Sequence, residues 1–335
     1  MLGPETWEGR SRKEGSRTML VQPALREYRT WIVDSRRWAN YRPRTGDVIV
    51  ATYPKCGTTW MQRIVNLLIF QNTEPMPVSK ISPWLDRRFP VPTEDVLASL
   101  EAQTWRRAIK SHLPFDGLPI YDEVSYIHVA RDGRDACLSF HNHGTGFKPE
   151  VLEALDRQGL ADETIRRPYP RVPADPAAHF HRWISEGAIK GHEDGTPLFS
   201  YFAFEKSYWQ ERRRPNLLLV HYNDLKRNLA SEMKRVADFL KVRFSEDLWP
   251  EFIEAAHIDT MRRQGAALMP EVVNMFSRGS DAFFYRGVNG RWRDTAAKED
   301  LALYDAKVKA NFSPACAQWL ELGREDRPDP RHIAD

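Results

Sequence analysis

The 335-residue chain is poor in cysteine: Cys56, Cys137 and Cys316 are the whole set. So few, and an odd number, imply no disulfide framework and point to a reducing compartment. Long apolar runs are also missing. The most apolar stretch, residues 64–70, is interrupted by Asn66 and is far shorter than the roughly 18 residues a membrane span needs. Charge of one sign is lacking too. Lys plus Arg number 49 and Asp plus Glu 46, so 49 − 46 leaves +3. That balance argues against a dedicated nucleic-acid binder. Residues 1–17 are polar and charged, with no apolar h-region, so no secretory signal is read there. These absences together predict a cytoplasmic protein. There is no internal repeat and no low-complexity block. Hydrophobic residues make up 41%, enough to build a core, so disorder over most of the chain is excluded.

What is present is an alternation of strands and helices. Residues 47–53, DVIVATY, are β-branched and nearly all apolar, with Gly46 before and Pro54 after. This is the pattern of a strand buried on both faces. Trp60, Met61, Ile64, Val65 and Leu68 then recur at spacings of three and four, which predicts a helix. Further strands are predicted at 107–111, 124–130 and 217–222. One helix is predicted from Arg134 or Asp135 to about His143. Another carries Leu229, Met233, Val236, Ala237 and Leu240 on its apolar face. Such an order predicts an α/β fold, a central parallel β-sheet flanked by helices. Residues 147–176 are rich in Pro and charge and read as a long loop or lid. The run Arg212–Arg214 reads as a solvated helix end. No linker cuts the chain in two, so a single domain over 22–322 is expected. It lies between a disordered tail at 1–21 and a polar C-terminal tail at 323–335.

Between the first strand and its helix lies TYPKCGTTW, residues 52–60. Backbone N–H groups in the first turn of a helix have no intrahelical partner, and the helix dipole favours negative charge there. Gly57 lets the backbone approach an anion, Lys55 adds a full positive charge, and Thr58 and Thr59 add hydroxyl donors. A structural turn with capping threonines is the plainer alternative. The loop is not G-x-x-x-x-G-K-[ST], since Lys55 precedes Gly57, and that pattern occurs nowhere else in the chain. This disfavours a Mg-dependent nucleoside triphosphatase.

The segment resembles the 5′-phosphosulfate loop (TYPKSGTTW) of sulfotransferases that use 3′-phosphoadenosine 5′-phosphosulfate (PAPS). Cys56 stands where Ser is common and is expected to contribute its backbone N–H and to stay a neutral thiol. Three more segments resemble family motifs in the family's order. AIKSHLP, residues 108–114, places Lys110 and His112 two apart, on one side of a strand end. YIHVARDGRDACLSF, residues 126–140, resembles the 3′-phosphate motif through Arg131 and Ser139; its rival reading is a surface turn in which Asp132 and Asp135 neutralise Arg131 and Arg134. FFYRGVNGRWR, residues 283–293, resembles the C-terminal nucleotide-closing motif through Arg286, Gly287, Gly290 and Trp292. It departs from the family at Tyr285 and Arg291. Trp60 and Tyr222 match adenosine-contacting positions, and Ile258 falls near one where the family often has Phe.

The resemblance implies transfer of a sulfuryl group from PAPS to a hydroxyl or amine of a small acceptor. By it Lys55 stabilises the leaving oxygen, His112 removes the acceptor proton and Lys110 supports the transferring group. No metal is implied: HExxH is absent, and His141-x-His143 and His179-x-His181 lack the ligands that would complete a zinc site. The alternative for the His141/His143 pair is that it faces the acceptor pocket. No G-x-S-x-G occurs either. Trp84, Phe89, Phe115, Phe147 and Phe284 are candidates for an apolar acceptor pocket, with core packing as the alternative for each. A variant phosphate-loop kinase using ATP and a non-catalytic 3′-phosphoadenosine-binding protein stay open as other classes, and a homodimer stays open as an assembly.

Overall fold

The computed structural model describes residues 18–88, 90–279 and 287–335. The apolar run at 48–51 is wholly buried, and it forms an interior strand of a parallel sheet. Among the described residues the strands are β1 (Leu20–Gln22), β2 (Val48–Ala51), β3 (Ala108–Ser111), β4 (Ile120–Tyr121), β5 (Ser125–Ala130) and β6 (Leu217–His221). β1 pairs antiparallel with β4, so the end of the expected N-terminal tail is an ordered edge ribbon. The main sheet has the order β3–β2–β5–β6, and every neighbouring pair is parallel. Val50 lies opposite Lys110 on one side and Ile127 on the other.

Side chains alternate across the sheet, as strand geometry requires. Ile49, Ala51, Tyr126, Leu217 and Leu219 enter one core, while Val48, Val50, Ile127, Leu218 and Val220 enter the other. The helices are α1 (Thr58–Phe70), α2 (Val78–Ile81), α3 (Thr93–Glu101), α4 (Gly133–Gly144), α5 (Pro149–Ala161), α6 (Pro176–Ser185), α7 (Tyr201–Gln210), α8 (Tyr222–Arg227) and α9 (Leu229–Leu240). They are followed by Trp249–Ala256, Lys298–Asn311, Pro314–Leu322 and several single turns. α1 and α9 cover the second core; α4, α6, α7 and Pro314–Leu322 cover the first. The result is the three-layer α/β architecture that the sequence predicts.

Three expectations are corrected. Residues 147–176 are not one long loop. They contain the 13-residue helix α5, which opens with Pro149 at its first turn, where a missing N–H costs nothing. Tyr222 does not end a strand but begins α8. Arg212 is buried, not solvated: its guanidinium donates to the carbonyls of Trp209, Pro330 and Ile333 and pairs with Asp335 at 2.9 Å. Residues 329–335 are thus pinned to the body of the molecule. Arg235 adds a second pin through Asp329 at 2.6 Å.

Candidate active site

In a parallel sheet the carboxyl ends of the strands form a crevice where neighbouring connections leave in opposite directions. Here β2 has β3 on one side and β5 on the other. The phosphate loop follows β2, Lys110 and His112 lie at the end of β3, Arg131 follows β5 and Tyr222 follows β6. All of them, the loop's Cys56 excepted, line one cavity of about 250 Å³.

The loop has the conformation that an anion cradle needs. Lys55 and Gly57 both take positive φ, 73° and 106°, which turns successive N–H groups inward. A Cβ on Gly57 would sit 3.1 Å from the Tyr222 ring. Thr58 is bonded through its hydroxyl to that of Thr52 at 2.6 Å. Cys56 behaves differently from the other loop residues. Its thiol faces the core and its N–H donates to the Tyr53 carbonyl at 3.3 Å. Burial, with Glu205 nearby, pushes the thiol pKa well up, so Cys56 stays neutral.

Among the described residues Arg131 is in no ion pair, unlike its neighbour Arg134. Asp132 grips Arg134 at 2.7 Å, and Arg134 also stacks on Trp292. Arg131 instead lies over the Tyr222 ring and donates to the Lys55 carbonyl and to Asn289. Its Nε is buried with no hydrogen-bond partner among the described residues. The rival surface-turn reading therefore holds for Arg134 and fails for Arg131. Asp135 accepts from the Gly290 N–H at 2.7 Å. Ser139, Gly287 and Arg291 line the same end, with Trp60, Tyr222 and Ile258 beside them. Trp60 meets Tyr222 edge to face and donates to the Ala256 carbonyl. Arg286, Phe284 and Phe89 lie outside the described residues.

His112 Nδ1 is 2.7 Å from the Thr52 carbonyl, which can only accept. The proton therefore sits on Nδ1, and Nε2 is the ring's acceptor atom. Burial, then Lys110 and Lys55, hold the imidazole well below its usual pKa, so it is neutral. Its ring stands edge-on to Trp84. Burial, with Arg131 near, lowers Lys55 to about 8. Burial, with Arg87 near, lowers Lys110 to about 7. Lys55 Nζ also lies 3.5 Å from His143 Nδ1.

The other end of the cavity is largely apolar. Phe147, Phe276, Met269, Val272, Val151 and Leu155 form its walls, and His143 touches both phenylalanines. Trp84 and Phe147 are where the sequence places them. Phe115 is not: it packs in the core between Tyr126 and Tyr208. His143 faces the cavity, whereas His141 turns away to the Pro173 and Ala174 carbonyls. Sequence reading missed Arg87, Glu271 and Met275, which line the same end. No motif marks them. Among the described residues no group of three or more His, Cys, Asp or Glu side chains is placed to hold a metal. Among them, too, no helix is long and apolar enough to cross a membrane.

Known proteins resemble this arrangement. Residues 45–314 match the family model described as a sulfotransferase domain. A glycolipid sulfotransferase of Mycobacterium tuberculosis is 31% identical over 308 residues, covering 89% of this chain and 94% of its own length. Mouse sulfotransferase 1B1 is 23% identical over 83% of this chain and 86% of its own. Among solved structures, retinol dehydratase bound to retinol and PAP superposes with a TM-score of 0.64 at 23% identity, over 84% of this chain and 87% of that one. A mouse sulfotransferase bound to PAP gives 0.63 at 16% identity, over 86% and 93%.

Proposed function

We propose, from the premise that this chain belongs to the sulfotransferase family and is a PAPS-dependent sulfotransferase acting on a small acceptor, that His112 is the base that deprotonates the acceptor. One observation carries the assignment: the Thr52 carbonyl holds the proton on Nδ1, and so leaves Nε2 as an acceptor in the cavity that Lys55 and Lys110 share. The cavity suits a polyanionic donor. Half-buried Lys55 and Lys110 and buried Arg131 converge on it, and the Arg131 Nε, without a partner among the described residues, supplies a donor atom. PAPS supplies the sulfuryl group. The N–H groups of the loop, with Thr58 and Thr59, would hold the 5′ end. Arg131, Ser139, Gly287 and, from the family motif, Arg286 would hold the 3′-phosphate, with Trp60 and Tyr222 at the adenine.

Lys55 then provides fixed positive charge where the leaving oxygen becomes negative, and Lys110 does so beside the transferring group. The acceptor is a hydroxyl on an apolar body, seated against Phe147, Phe276 and Val272. The name of the mycobacterial relative, a glycolipid sulfotransferase, supports that class. Three buried, unpaired cysteines support a cytoplasmic site of action. Light scattering would separate a monomer from the homodimer.

His112→Ala tests the base. Turnover should fall by about a thousandfold or more, while the thermal shift produced by PAP stays near that of the parent. Turnover retained in His112→Ala would refute the assignment.

A further inference from the structure

The apolar end of the cavity contains a charged pair that its walls do not explain. Arg87 lines it, yet no carboxylate lies within ion-pair distance of its guanidinium among the described residues. Its guanidinium donates to the Met275 sulfur at 3.5 Å and lies 5.7 Å from the centre of the Trp84 ring. Glu271 lines the same end, one helical turn from Met275. The two charges sense each other: burial is the main effect lowering the Arg87 pKa, and Glu271 opposes it. They nevertheless do not meet. Both side chains are half-buried on the cavity wall, and among the described residues neither is in an ion pair, so the two present polar groups that a bound molecule is suited to meet.

The chemistry of that group follows from the pair. A carboxylate would suit Arg87 but would be repelled by Glu271. An ammonium would suit Glu271 but would be repelled by Arg87 and by Lys110 beside it. A hydroxyl both donates and accepts, so neighbouring hydroxyls satisfy both ends at once. We propose that Arg87 and Glu271 form a polar subsite that binds a neutral vicinal diol of the acceptor, such as that of a sugar ring, with the acceptor's apolar body along Phe147 and Phe276. This rests on the reading of the cavity as the acceptor site, and it makes that acceptor an amphiphilic glycoside. The hydroxyl that is sulfated is then one the diol contact presents to His112.

The test compares n-octyl β-glucoside with 1-octanol, which shares the octyl chain and has no diol, and with 10-hydroxydecanoate, which carries a carboxylate. The parent protein should favour the glucoside in kcat/KM. Arg87→Met should reduce the glucoside-to-octanol preference by about 100-fold, since a site built around hydroxyls loses most when its polar partner goes. Glu271→Gln should reduce it about 10-fold. The PAP thermal shift checks that each variant folds and keeps its donor end. An unchanged preference in both variants overturns the subsite, as does a parent that favours octanol or the hydroxy acid. Either result leaves the sulfotransferase reading standing. Loss of the PAP shift in the parent would instead sink that reading.

Discussion

In the proposed mechanism Thr52 joins the base to the phosphate loop. Its carbonyl fixes the His112 tautomer and its hydroxyl binds Thr58 of the phosphate loop. The imidazole is therefore already in its basic form, and its lowered pKa keeps it so through mildly acid solution. The lysines set the other limit. Lys110, lowered to about 7, and Lys55, lowered to about 8, must be charged to meet a polyanion. Each loses its charge as pH rises through its own pKa, so the loss is alkaline. A pH profile of kcat/KM should thus show no acid limb near 6.5 and an alkaline decline beginning near 7. In Lys110→Arg that first decline should vanish, because a guanidinium stays charged throughout. A profile identical to the parent's would show that Lys110 does not titrate in the reaction.

Among the elements, α5 is the clearest case of structure hidden from sequence. Pro149 and the charged residues around it read as loop, yet Ala154 and Leu155 are buried and Val151 and Leu155 reach the cavity. Just beyond it, Asp162 has a fully buried side chain gripped by Arg29 and Arg88, each at 2.6 Å. Burial pushes its carboxyl pKa up, but bonds from Thr164 and Ile165 and the Arg88 charge outweigh that and leave it well below the usual range. A depressed carboxyl stabilises above its unfolded pKa, and the contribution is lost as pH falls through the folded one. Asp162→Asn should lower stability by about 3 kcal/mol, the scale for stripping one partner from a buried ion pair. Denaturant unfolding would measure it, and a change under 1 kcal/mol would show that the clamp is dispensable. The four main-sheet strands, α1, α4 and α9 were legible, whereas α3, α6, α7 and the helices Lys298–Asn311 and Pro314–Leu322 were not read. Strands buried on both faces declare themselves as apolar runs, and every apolar position read for α9, save the half-buried Leu229, lies in the core.

At the scale of the whole molecule, the residues of the proposed donor end could be grouped from sequence because they sit in contiguous strand–loop–helix segments, and the fold brings them to one cavity. The acceptor end was not. Trp84 and Phe115 look alike in sequence, and only the fold sends one to the cavity and the other to the core. Arg87 and Glu271 come from distant parts of the chain with nothing local to link them. Arg212 was misread for the same reason, since its partners Pro330, Ile333 and Asp335 are remote. Removing residues 329–335 should leave Arg212 buried without those acceptors and release Arg235 from Asp329. We expect a loss of about 3 kcal/mol and a lower Tm, with PAP still raising the Tm of the shortened protein. Unchanged Tm would mean that water replaces those bonds at no cost.

The two ends of the cavity are also built from different kinds of chain. The sheet's carboxyl edge supplies the donor side, and its spacing is fixed by backbone ladders. The proposed acceptor wall comes from residues 84–87, 147–155 and 269–276, none of which is a strand of the main sheet, though Trp84 bridges to Lys110 at its β3 edge. Variation there leaves the ladders untouched, so the wall is free to diversify under selection while the reaction itself is conserved. An engineer seeking new acceptors has the same freedom and should draw libraries from those three segments alone.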